Sequence, residues 1–169
     1  MKRTQAQRYT RTTQIDSLLF LLDQSYNTKA WHGTNLRGSI RGLTAKKAAW
    51  RPSPGRHSIW ETVVHCAYWK YIVRRRILKE KKGSFPIKGS NWFSRSTNLT
   101  EQAWKQDIKL LESCHASLIK AIVTLHERDL SRTPPGSKVS NLAIITGIAS
   151  HDVYHAGQIQ LLKRLSNSR

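Results

Sequence analysis

The chain has 169 residues, with 29 Lys and Arg against 10 Asp and Glu, a formal net charge of +19 and two cysteines. That length suits a single domain over residues 1–169 whose core needs no disulfides, and Cys66 and Cys114, each in apolar helix-like surroundings without CxxC spacing, read as buried thiols of a reducing compartment. The charge favours polyanions or acidic substrates, while the apolar run at residues 18–22, bracketed by Asp16 and Asp23, is too short for a signal-peptide core or for the roughly 20 residues of a membrane span.

The location expected from this is the cytoplasm, with no membrane partner, although basic, hydroxyl-rich residues 2–14 have a faint transit-peptide character. Helical periodicity begins at residues 10–26, with Ile15, Leu18, Leu19 and Leu22 on one face. A long connector follows, holding Trp31-His32-Gly33, short helical turns near residues 36–43 and 45–50, and Pro52-Ser53-Pro54-Gly55. The second long helix is expected over residues 58–79. It starts at a capping box, Ser58-Ile59-Trp60-Glu61, in which hydroxyl and carboxylate each satisfy an exposed backbone amide. Its basic end, residues 74–82, reads first as a solvated helix terminus whose cations complement the dipole. After Gly83, Pro86 and Gly89 comes a third helix at residues 100–126, with Trp104, Ile108, Leu111, Leu118, Ile119, Ile122 and Leu125 inward. Pro134-Pro135-Gly136 then precedes a fourth at residues 140–165. Nothing alternates as strands do. The expected class is all-α, a four-helix bundle with a long crossover between the first and second helices.

Seven histidines are present, and three are placed alike. On the last helix Ile144, Ile148, His151, His155, Ile159 and Leu162 recur at intervals of three and four, so His151 and His155 point where the isoleucines point. On the second helix His65 lies within a broad apolar arc with Tyr68, Trp69 and Ile72. Of the others, His32 and His57 fall in loops, and His115 and His126 look peripheral, without a matching pair. By spacing alone the inward three are either satisfied core histidines or ligands of a metal held between facing helices.

The residues Arg51-Pro52-Ser53-Pro54-Gly55-Arg56-His57-Ser58-Ile59-Trp60-Glu61 leading to His65 and Trp69, together with His151-Asp152-Val153-Tyr154-His155-Ala156-Gly157-Gln158-Ile159, resemble the DinB/YfiT-like superfamily of metalloproteins. The resemblance implies a helical bundle with one divalent ion on His65, His151 and His155. It also implies roles for Tyr154 and Gln158 in orienting ligands or substrate, and a homodimer as the common assembly. Glu61 stands one turn before His65, so it is either a ligand, a neighbour of the ligands, or only the capping residue. Asp152 lies about 100° off the histidine stripe, which argues against direct ligation. Imidazole suits zinc, nickel, iron and copper without choosing among them, and manganese is a further candidate for the ion.

Three imidazoles leave positions open for water or substrate, as in a catalytic site. The expected function is therefore a metal-dependent hydrolase or a transferase using a low-molecular-weight thiol, as in relatives of the superfamily, with a small-molecule substrate that the charge suits to be anionic. No catalytic side chain can be named from the sequence. The alternatives are a metal-stabilised bundle without catalysis, and a basic protein that binds nucleic acid or another polyanion through residues 74–82. The polyanion alternative predicts nucleic-acid binding that weakens steeply with salt; no binding in a titration at low salt removes it.

Overall fold

The computed structural model describes residues 13–81, 83, 85–95, 97 and 99–167. The start of the first helix expected at residue 10, most of the basic segment before it, and Lys82 of the basic run lie outside them. The described chain is helical, with α1 Gln14–Tyr26, α2 Leu36–Ser39, α3 Ala45–Ala49, α4 Ile59–Ile77, α5 Glu101–Val123 and α6 Asn141–Asn167. The four long helices expected from periodicity are all present, and α2 and α3 are the two helical turns expected in the connector. No described helix is long and apolar enough to cross a membrane.

Local chemistry accounts for the boundaries. A side-chain oxygen of Thr13, Asn35, Thr44, Ser58 or Thr100 accepts a backbone N–H in the first turn of α1 to α5. Ser58 and Glu61 form the full capping box expected of α4. α5 ends three residues before the expected 126. The carboxylate of Asp129 accepts the His126 backbone N–H at 3.0 Å, which starts a separate 3-10 turn at Glu127–Asp129 in place of another α turn. Of the residues expected inward on α5, Trp104, Leu111, Leu118 and Ile122 are fully buried, and Ile108, Ile119 and Leu125 pack against the core edges.

Helix α4 packs against α5 and α6, and α1 closes onto α6 and α5. The apolar interior falls into two clusters. One gathers Leu36, Ile40, Trp60, Val64, Trp104 and Leu111, around the first halves of α4 and α5, where α3 packs, and reaching α2, which packs on α6. The other gathers Leu18, Leu22, Val73, Leu118, Ile145 and Ile148. Between them runs a layer of polar side chains: Ser25, Lys70, His115 and Asp152 are all buried. Lys70 Nζ donates to Asp152 Oδ2, with both side chains 0% exposed, so the pair ties the middle of α4 to the middle of α6. The Tyr26 ring lies 5.0 Å from the ammonium and stacks at 3.7 Å on His115. His115 is therefore a core histidine and not the peripheral one the sequence suggests; a lone histidine on α5 gave no sign of the tyrosine brought to it from α1.

A charge buried without its partner costs far more than the pair contributes, so removing one member is the severe change. Lys70→Met should destabilise the protein by about 3–5 kcal/mol in urea unfolding. Adding Asp152→Leu should recover most of that loss; a double variant as unstable as the single would show that the pair is not what holds this layer.

Candidate metal centre

The sequence stripe on α6 and the arc on α4 meet where expected. His151 Nε2 lies 3.0 Å from His65 Nε2 and 3.1 Å from His155 Nε2. His65 and His155 are 6% and 4% exposed, and His151 is half-buried. The three residues form one of two groups among the described residues whose donor atoms all lie within 4.8 Å of one another. Four-coordinate zinc at about 2.0–2.1 Å from each imidazole would hold the nitrogens about 3.3 Å apart, close to the spacing seen.

The outer nitrogens set the proton positions. His65 Nδ1 is 2.8 Å from the Asn91 carbonyl oxygen, which only accepts, so Nδ1 carries the proton and Nε2 presents a lone pair. His155 Nδ1 is 2.7 Å from Gln158 Oε1, which only accepts, and the Gln158 amide nitrogen donates to the Tyr154 hydroxyl at 2.9 Å. His155 Nε2 therefore also presents a lone pair. His151 can offer one Nε2 proton at most between these two acceptors, and its buried Nδ1 has no partner among the described residues. A cation at the convergence point satisfies all three lone pairs, which is the test the donor set passes.

The other group, Cys66 with His151 and Asp152, is chemically poorer. Burial holds the Cys66 thiol well above its ordinary range, and Asp152 already accepts from Lys70. Both cysteines are free and buried, as the sequence suggested.

The remaining candidates separate cleanly. Glu61 is buried and fully engaged: Oε1 accepts from Arg51 at 2.5 Å and Oε2 from the Ser58 backbone N–H at 3.1 Å. These bonds hold its carboxyl below the usual range despite burial, so it is the capping and ion-paired residue and not a ligand. Gln158 and Tyr154 form a chain of hydrogen bonds outward from His155, with Tyr154 63% exposed. Asp152 reaches into the polar layer, where its Oδ2 accepts from Lys70, as its position on the helix required.

Two residues at the site escaped sequence reasoning. Asn91 sits at φ +62° and presents its backbone carbonyl to His65 and its side-chain carbonyl to Trp69 Nε1 at 2.9 Å; asparagine tolerates this left-handed backbone better than most residues. Trp92 stacks on His65 at 3.9 Å and on His57 at 3.7 Å. Both lie in an aperiodic loop, where only a Gly-Ser-Asn turn signature hints at a special backbone.

Burial keeps these imidazoles neutral. Desolvation, then the neighbouring histidines, push His151 down to about 3; desolvation and His65 push His155 down to about 4, and His65 is lowered mainly by burial. Neutral imidazole is the form that binds metal.

The family model described as the DinB superfamily matches residues 29–159, a span that contains all three histidines and Asn91, Trp92, Tyr154 and Gln158. No curated protein and no solved structure matches the chain.

The buried histidines give a pH prediction for metal-free protein. An unfolded histidine takes up a proton near pH 6.5, whereas folded His155, His151 and His115 resist until about 4, 3 and 2 respectively, all chiefly through burial. The unfolded chain therefore binds more protons below pH 6.5, and stability falls as the pH is lowered. The urea midpoint should be lower at pH 5 than at pH 7.5; an unchanged midpoint would contradict the buried, neutral assignment.

Proposed function

The chain belongs to the DinB superfamily, and we propose that it is a metal-dependent enzyme whose His65, His151 and His155 hold one divalent ion with a side left open to substrate. The observation that carries this reading is the convergence of three Nε2 atoms at 3.0 and 3.1 Å with the outer nitrogens of two rings anchored by acceptors. When bound, such an ion polarises a carbonyl or acidifies a coordinated nucleophile.

The chain's own groups define what kind of nucleophile suits the site. Glu61 is committed to Arg51 and Ser58, and Asp152, with Oδ2 on Lys70, is 0% exposed and so out of reach of a substrate. Neither carboxylate is therefore offered as a general base beside the triad. A nucleophile of low intrinsic pKa fits this better than water does, and a thiol, near 8.5, is the natural choice. Transfer using a low-molecular-weight thiol is thus favoured over hydrolysis. Trp69 and Trp92 wall the His65 side, and the Tyr154–Gln158 chain fixes the His155 ring while leaving the phenol accessible to a substrate.

Protein purified without chelator should carry about one equivalent of divalent transition metal by elemental analysis, and His155→Ala should carry none; full occupancy in that variant would overturn the ligand assignment. Gln158→Ala leaves the three ligands but frees the His155 ring, so metal affinity should drop about 10–100-fold. An unaltered affinity in a competition titration would remove Gln158 from the site.

A further inference from the structure

Beside the triad, α4 and α6 do not close completely. Their order of pairing, His65 with His155, Lys70 with Asp152, and Val73 beside Ile148, shows that they run antiparallel. Trp69, Val73 and Arg76 on α4 thus face Ile144, Gly147 and His151 on α6 across a crevice of about 170 Å³. The ends of each stripe are seven helical steps apart, so the crevice is about 10 Å long at 1.5 Å per step. His151 stands at one end, and Arg76, the other cationic-capable residue of the lining, lies near the opposite end.

Gly147 indicates that the space is kept open. It sits well inside the 27-residue α6, where glycine disfavours the helix relative to alanine. A Cβ at this position would meet nothing within 4 Å, so no neighbouring atom requires a glycine there. Its backbone is part of the crevice lining, so a side chain added there would take up open space. An aliphatic-lined cavity of about 150 Å³ takes a molecule the size of benzene, so this one suits a body of roughly six carbon atoms.

The geometry points to a substrate subsite for a small amphipathic carboxylic acid. The apolar body lies along Val73, Ile144 and Gly147, the carboxylate meets the Arg76 guanidinium, and the reacting end lies at His151. The carboxylate is chosen because a guanidinium pairs with it through two parallel hydrogen bonds. That the occupant is a substrate rests on the metal-centre reading above; that the crevice binds such an acid does not.

Octanoate is a suitable probe, titrated into isotope-labelled protein as purified while the amide signals of Gly147 and Ile148 are followed. Saturable shifts at these amides are expected. Arg76→Gln should weaken octanoate about tenfold, and Gly147→Leu by at least as much, with the metal content of both variants unchanged. Gly147→Ala should raise the melting temperature and still weaken octanoate, a combination that a merely structural glycine would not give. Absence of binding at millimolar octanoate, equal binding by wild type and Arg76→Gln, or a lowered melting temperature in Gly147→Ala would overturn the proposal. Octanoate binding with the expected Arg76 dependence in a protein that holds no metal would support the crevice and remove only the metal-centre reading.

Discussion

A lysine and an aspartate with no exposure to solvent occupy the centre of this fold. Lys70 and Asp152 lie where the two apolar clusters part, and neither can be left alone there, because each desolvated charge depends on the other. Burial lifts the Asp152 carboxyl above its ordinary value, and the Lys70 ammonium opposes that shift. Apolar side chains tolerate small slips between helices; a buried ion pair does not. It fixes which turn of α4 stands against which turn of α6. His65 is five residues before Lys70, and His151 and His155 flank Asp152, so the same alignment delivers all three imidazoles to one point. The neighbours His151 and Asp152 differ by about 100° around α6, which sends one into the triad and the other into the polar layer.

The triad in turn relies on a loop. Asn91, held in a left-handed backbone, ties His65 and Trp69 together, while Trp92 lies flat against the His65 ring. On the α6 side, Gln158 does for His155 what Asn91 does for His65. Two rings are thereby fixed in rotation and tautomer before any ion binds, and burial keeps all three neutral. Preparing ligands in this way lowers the cost of ordering them on binding. Of the two carboxylates nearest the centre, Glu61 is held by Arg51 and Ser58 and Asp152 is closed off from solvent beside Lys70, which is why an easily ionised nucleophile is the proposed match.

The parts of this arrangement legible in the sequence are those with local causes. The capping box at Ser58 and Glu61, the start of α4, and the inward face of α6 follow from backbone amides that need acceptors and from a 3.6-residue period. The pairing of His65 with the two α6 histidines was suggested by all three facing inward, but only the resemblance to a metalloprotein family chose ligands over satisfied core residues. Other features depend on contacts between distant segments. Lys70, between Trp69 and Tyr71, carries no local mark of burial, since a lysine in a helix ordinarily faces water. His115 looked peripheral because its stacking partner, Tyr26, comes from α1, 89 positions earlier. Asn91 and Trp92 lie outside any periodic element, so no pattern could assign them a direction. Gly147, inside a periodic helix, carries no local mark of the crevice that it lines.

The central claim is that three imidazoles, and no sulfur, hold a metal ion between α4 and α6. X-ray absorption at the metal edge of the loaded protein tests it most directly. The account predicts three imidazole nitrogens at about 2.0–2.1 Å with any further contact from a light atom. In a sample free of added thiol, a scatterer at about 2.3 Å, the distance of a thiolate, would place the ion on Cys66 and contradict the account.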